Sequence, residues 1–240
     1  MSAAEGSYAA LTREDPNVFK RWLQARRIDE ALRLVPTEAR RVIDYGAGDA
    51  EVAARLVRLR PGVEAVCFDP TPELLDEARA RTAGLDRVWL VASEAELETG
   101  WADALLCLEV FEHLPGPETA DALETIARVL RPGGTLIVGV PIEVGPAALA
   151  KGLFRRVRRR DAFDGRLSGI IEATRGRPPV DRPLAEIAPG RPYHPHHLGF
   201  DHRRLLRDLE GRFRVVRRTG SPFGPLGALN AELYITAVKA

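Results

Sequence analysis

Two cysteines in 240 residues are too few for a disulfide-stapled fold, and both Cys67 and Cys107 lie in apolar segments, as small core residues do in a reducing compartment. Long hydrophobic runs are missing too. Arg, Asp or Glu interrupts every apolar stretch before the ~18–20 residues needed to cross a bilayer, which excludes a helical integral membrane protein. The opening Met1–Tyr8 lacks a basic region followed by an apolar core, so no secretory leader is expected and the expected location is cytoplasmic. Charge of one sign is likewise absent. With 35 Lys and Arg against 34 Asp and Glu the net charge is +1, without the basic surplus of a nucleic-acid binder. Aromatics are sparse, and between 141 and 200 only Phe154, Phe163, Tyr193 and Phe200 occur, too scattered for nucleobase stacking. No solenoid-length repeat stands out.

What is present is a rhythm. Tyr8 to Val35 carries Val18, Trp22, Ile28, Leu32 and Val35 among many charges, which predicts one or two amphipathic helices. Arg40–Asp44 predicts a strand, Tyr45-Gly-Ala-Gly48 a glycine turn and Ala50–Leu59 a helix. The pattern repeats with strand Val63–Phe68, a break at Asp69–Pro72, and helix Glu73–Arg81, which Thr71 or Pro72 opens. Further strands are predicted at Arg87–Ala92, Ala104–Val110 and Gly134–Val140, with a helix over Glu118–Leu130. Alternation of this kind implies an α/β fold, a Rossmann-like doubly wound and mainly parallel sheet. After Pro141 the rhythm breaks. Residues 145–160 predict a basic helix, 174–195 a Pro/Gly/Arg-rich loop or lid, and His202–Leu209 a short helix; the next strands are expected only at Arg212–Arg217 and Glu232–Val238. The expected organisation is a single domain: a helical cap over 1–36, a cofactor-binding core over 40–141, an insertion forming an acceptor-site lid over 142–211, and a closing hairpin over 212–240.

The turn Asp44-Tyr-Gly46-Ala47-Gly48 puts small residues where the backbone swings from strand to helix and a ligand approaches closely. Asp69 ends the next strand at about the 20-residue separation expected of a ribose-binding carboxylate. A tight turn and a capping aspartate explain each feature singly; together with the βα rhythm they point to a nucleoside cofactor. A dinucleotide fingerprint would require glycine at 51, where this chain has Glu51, whose charge and bulk oppose a pyrophosphate. A cationic sulfonium nucleoside tolerates Asp44, Asp49 and Glu51 better, which favours S-adenosylmethionine.

On Val42-Ile-Asp-Tyr-Gly-Ala-Gly48, Val66-Cys-Phe-Asp-Pro70, Ala102–Pro115 and Leu130–Val138 the chain resembles the class I S-adenosylmethionine-dependent methyltransferases. The resemblance is strong over 40–141 and weaker over 212–238. It implies a seven-stranded sheet ending in an antiparallel hairpin, and conversion of S-adenosylmethionine to S-adenosylhomocysteine. It implies ribose binding by Asp69 beside Pro70, Gly46 and Gly48 near the methionine portion and ribose, and Leu108 and Glu109 near the sulfur. Two departures stand out: Ala50 replaces a third glycine, and Ser93-Glu94 leaves open which residue meets the adenine. Arg27, in the run Lys20-Arg-Trp…Arg26-Arg27, is a candidate for the cofactor carboxylate, against a solvated helix face.

Histidine is the candidate general base, because its pKa lies near neutrality and methyl transfer to oxygen or nitrogen releases a proton. His113, His194 and His197 are the candidates, against a loop whose histidines bond backbone. His194-Pro-His196-His197 lacks the helical spacing of a zinc motif, and no metal is expected. Lys151–Arg160 interleaves basic residues with Leu153, Phe154 and Val157, predicting a lid helix with its apolar side buried, or a contact with anionic membrane or a phosphorylated substrate. The resulting expectation is transfer of a methyl group to O, N or C of a small molecule, with no nucleic-acid partner. A non-catalytic scaffold of the same fold and a nicotinamide-dependent oxidoreductase are the alternatives.

Overall fold

The computed structural model describes residues 18–158, 162–222, 224 and 230–240, with side chains from residue 25 onward. Residues 8–17 of the first expected helical segment, the side chains of Lys20, Arg21 and Trp22, and Arg159 and Arg160 of the basic run lie outside the described residues. Helix α1 (Val18–Leu34) precedes β1 (Arg41–Tyr45), α2 (Glu51–Leu59), β2 (Glu64–Phe68), α3 (Pro72–Thr82) and β3 (Val88–Val91). Strand β4 (Ala102–Leu108), α4 (Gly116–Val129) and β5 (Leu130–Pro141) follow, then α5 (Pro146–Arg158), α6 (Leu167–Thr174) and a short hairpin, β6 (Ala185–Ala188) and β7 (Arg191–Tyr193). Helix α7 (His202–Glu210), β8 (Phe213–Ser221) and β9 (Glu232–Lys239) complete the chain.

The main sheet has seven strands in the order β3-β2-β1-β4-β5-β9-β8. The first four junctions are parallel and the last two antiparallel. Chain order reverses between β1 and β4, and the carboxyl ends of strands beside such a switch point form a crevice. Both faces are covered, which is why the central strands read as continuous β-branched and aliphatic runs. On one face Leu123, Ile126 and Val129 of α4 and Leu205 and Leu209 of α7 pack on Ile43, Leu105, Cys107, Leu136 and Val138. On the other, Ile28, Ala31 and Leu32 of α1 and Leu56 of α2 pack on Val42, Ala104, Leu106 and Ile137. Both cysteines are free and buried. Between β3 and β4 the chain makes only a turn of 3₁₀ helix (Glu94–Glu96). Beside it a groove of about 350 Å³ lies over Ile43, Val66, Trp89 and Val91.

Two expectations about the insertion need correction. The 174–195 stretch, expected to be loop or lid, is not irregular throughout but contains the β6–β7 hairpin, and α6 precedes it. The basic helix also lies the other way round. Leu153 is 47% exposed, Phe154 57% and Val157 87%, whereas the inward face carries Ala147, Ala148 and Gly152 together with Lys151 and Arg155. Gly152 is needed there because a Cβ would stand 2.6 Å from Ile170 Cγ1, so its absence lets α5 lie against α6. The cause of the inversion is Glu143, fully buried at the end of β5. Its carboxylate receives Lys151 Nζ at 3.1 Å and both terminal nitrogens of Arg155 at 2.7 and 2.6 Å. Leaving that charge unpaired in the interior would cost about 3–5 kcal/mol, and the two cations that prevent it occupy the inside of the helix.

Candidate functional site

The turn after β1 shapes the crevice floor. Gly46 and Ala47 donate their N–H groups to the Phe68 carbonyl at 2.8 and 2.9 Å, tying the turn to the end of β2. Gly46 (φ +73°) is tight because a Cβ there would collide with Val110 Cγ2, whereas Gly48 (φ +55°) has nothing among the described residues within 4 Å of where a Cβ would stand. The open side thus belongs to Gly48 rather than to both glycines. Ala50, at the position of a third glycine, adopts φ +58°, a conformation glycine favours.

Asp69 is buried and bridges two turns: Oδ2 accepts from Gly48 N and Oδ1 from Thr71 N, each at 2.9 Å. Burial raises its pKa, opposed by those hydrogen bonds. Each oxygen keeps a second lone pair for a ligand hydroxyl. Pro70, next to it, is half-buried. Asp44 is buried more deeply, with Oδ2 unpartnered among the described residues, and desolvation lifts its pKa to about 7 against a hydrogen bond from Ala53, with the charge of Asp69 adding to the rise. The acidic run is partly balanced by arginine: Arg81 Nη2 lies 2.9 Å from Asp49, and Arg55 lies 3.6 Å from Glu51.

Leu108 ends β4 beside this turn, and Glu109 follows with φ +56°, a strained conformation for a non-glycine residue. Two anchors hold it: Glu109 N donates to the Gly139 carbonyl at 2.9 Å, and its carboxylate lies 3.5 Å from Arg27 Nη1. Arg27 also binds Glu232. The guanidinium expected to meet a ligand carboxylate is therefore engaged with two protein carboxylates. Ser93 and Glu94 also have other partners. The Ser93 hydroxyl caps the 3₁₀ turn in a reciprocal pair with Glu96, and Glu94 accepts from the Tyr45 hydroxyl and pairs with Arg191 at 3.3 Å.

The histidines come together from distant segments. His113 Nδ1 lies 2.8 Å from the His194 carbonyl, His194 N donates to the His113 carbonyl at 2.7 Å, and His197 Nε2 stands 3.3 Å from His113 Nε2. His194 contributes chiefly its main chain, its own Nδ1 bonding the Pro183 carbonyl at 2.9 Å. Burial lowers the pKa of His113, and lowers that of His197 to about 4 despite the charge of Glu109. Neutral rings at pH 7 accept protons, but one titrating near 4 is a weak base. The sequence reading passed over Glu112. It is fully buried, neither carboxylate oxygen has a hydrogen-bond partner among the described residues, and burial together with the charge of Glu109 raises its pKa well above the usual range. The only sequence signal was its place in Glu109-Val-Phe-Glu112-His113. Among the described residues no helix is long and apolar enough to cross a membrane.

Against known proteins, residues 43–136 match a family model described as a methyltransferase domain. An uncharacterised methyltransferase of Mycobacterium bovis is 39% identical over 103 residues, covering 43% of this chain and 40% of that protein. A ubiquinone biosynthesis O-methyltransferase of Xanthomonas oryzae pv. oryzae is 35% identical over 117 residues, covering 46% of each. The chain thus spans less than half the length of these curated relatives. The structure of a 1,6-didemethyltoxoflavin-N1-methyltransferase of Burkholderia thailandensis, with that compound and S-adenosylhomocysteine bound, superposes with a TM-score of 0.55 at 21% identity, covering 100% of this chain and 92% of that one.

Proposed function

We propose that this chain, a member of the class I methyltransferase family, binds S-adenosylmethionine at the Gly46–Gly48 turn and methylates a small-molecule acceptor held under the 142–211 lid. The observation that carries the reading is the hydrogen bond from Gly48 N to Asp69 Oδ2 beside an open glycine face, a cradle with a carboxylate on its wall. The residues fit the group. Asp69 has lone pairs for two vicinal hydroxyls, Gly48 leaves room, and Glu51 at the helix start disfavours a pyrophosphate. When bound, S-adenosylmethionine supplies an electrophilic methyl group. Asp69 then orients the ribose, Glu109 with Leu108 walls the crevice end, and His113 and His197 face the acceptor side. The protein's contribution is alignment of the two reactants. A sequence relative is named an O-methyltransferase and a protein of similar fold an N1-methyltransferase, and the reading here is oxygen or nitrogen of a small metabolite.

Isothermal titration with S-adenosylhomocysteine tests the site. Binding is the expected result; no binding together with affinity for a nicotinamide dinucleotide would reverse the assignment. Gly48→Ala should cost about 1–2 kcal/mol of stability through its positive φ and weaken S-adenosylhomocysteine noticeably, because the new methyl fills the open face. Gly46→Val should act mainly on folding, since its side chain collides with Val110.

The outward face of α5 supports a lipid-borne acceptor. Leu153, Phe154 and Val157 are exposed, with the Arg158 guanidinium 5.3 Å from the Phe154 ring centre, and Leu167 and Ile171 of α6 are exposed as well. Apolar residues flanked by arginine suit an anionic lipid surface. Co-sedimentation with phosphatidylserine vesicles is expected, weakened by salt and by Phe154→Asp with Val157→Asp. Binding indifferent to both would remove the lipid reading. Arg155 is a poor reporter, because replacing it breaks the Glu143 pair.

A further inference from the structure

Three donor groups converge where the turn after β4 meets the segment before α7. The Glu112 carboxylate and one imidazole nitrogen each from His113 and His197 all lie within 4.8 Å of one another. They come from positions 84 residues apart, so local histidine spacing could not reveal them.

Each member is arranged for ligation. Glu112 has both oxygens buried and without a hydrogen-bond partner among the described residues, a costly state for a carboxylate unless a proton or cation is supplied. Nearby charge relieves it only in part. Glu109 and Glu232 add negative potential; Arg27 and Arg182 add positive potential, but Arg27 is bound to Glu109 and Glu232. Arg182 directs Nη2 to the main-chain carbonyls of Glu112 and His196. The His194 carbonyl can accept only from a protonated Nδ1 of His113, which leaves the Nε2 lone pair free, the usual way a ligating imidazole is held. His197 Nε2 faces that lone pair at 3.3 Å, with the rings inclined at 70°. Two bare nitrogens would repel at that distance, so a proton or a cation must lie between or beside them.

We propose that Glu112, His113 and His197 bind one divalent transition-metal ion. Two imidazoles and one carboxylate favour Zn²⁺, Co²⁺, Fe²⁺ or Mn²⁺ over Mg²⁺ and Ca²⁺, whose preferred ligands are oxygens. Three protein ligands leave open positions, as catalytic rather than structural sites do. An oxygen-bearing acceptor, such as a hydroxyl compound, takes one of them. That last step rests on the methyltransferase reading; metal binding does not.

Chelator-treated protein titrated with Co²⁺ is the test, with visible absorption reporting nitrogen ligation and calorimetry the stoichiometry. One ion per chain is expected. Glu112→Gln and His197→Gln should each weaken Co²⁺ roughly tenfold or more while leaving S-adenosylhomocysteine affinity intact. Wild-type protein that takes up no Co²⁺, or variants that bind it as well as wild type, would overturn the site. An imidazole–imidazole hydrogen bond beside a protonated Glu112 would then be the arrangement. If a variant does not fold, the wild-type titration still decides. Co²⁺ binding without S-adenosylhomocysteine binding supports the metal site and sinks the methyltransferase reading instead.

Discussion

Asp69→Ala is expected to lower S-adenosylhomocysteine affinity by about 100-fold, from the loss of two charge-assisted hydrogen bonds worth ~1.5 kcal/mol or more each. The carboxylate also holds the protein. It anchors Gly48 N and Thr71 N, so Ala frees the glycine turn on one side and the start of α3 on the other. The two consequences separate with Asp69→Asn. Asn keeps the side-chain shape and one acceptor oxygen but not the charge, and the Nδ2 that replaces the other oxygen faces an N–H. Its affinity should fall between wild type and Ala, with a smaller loss of stability than Ala. Calorimetry of binding beside urea unfolding reads both quantities. Unchanged affinity in Asp69→Ala with intact folding would mean that the nucleoside site lies elsewhere.

Most of the sheet was legible because local and global signals agree. Val42–Ile43, Val66–Phe68 and Leu105–Leu108 are apolar runs without helical period, each closed by a turn or polar break, and the register pairs Ile43 with Val66 and Val66 with Trp89. Thr71-Pro72 opened α3 as read, since Pro at the first turn loses no helical hydrogen bond. What was not legible depends on partners distant in sequence. Apolar spacing on α5 predicts its inner face correctly only if nothing beneath the helix is charged, and Glu143 lies beneath it. Arg27 reads as a surface cation until Glu109 and Glu232 arrive from β4 and β9. Ser93 looks like a ligand group, yet its hydroxyl has a nearer use in its own backbone turn. Glu112 is unreadable for a related reason: a carboxylate inside an apolar strand-end segment carries no period, and its isolation shows only once the fold closes over it.

Glu143 is where the second large effect is expected. Desolvation pushes its pKa up, but Lys151 and Arg155 outweigh that and hold it at about 2, with His197 adding a smaller pull in the same direction. Because the folded value lies below the ordinary 4.5, the stabilisation is fully present above pH 4.5 and is lost as pH falls from there toward 2. At about 1.4 kcal/mol for each pH unit between the two values, wild-type protein should lose about 3 kcal/mol through this group alone. Glu143→Gln removes the charge at every pH and leaves two half-buried cations facing an amide, so at pH 7 it should cost about 3–5 kcal/mol. Helix α5 should loosen first, since among the described residues Lys151 retains the Ala231 carbonyl and Arg155 retains Asp164 at 3.8 Å and whatever the amide offers. Urea unfolding at pH 7 and pH 3 measures both effects: the gap between wild type and Glu143→Gln should be about 2 kcal/mol smaller at pH 3 than at pH 7. A gap that stays constant with pH would show that the carboxylate contributes by packing and hydrogen bonding, with its charge immaterial, and would remove the explanation given for the inverted face of α5.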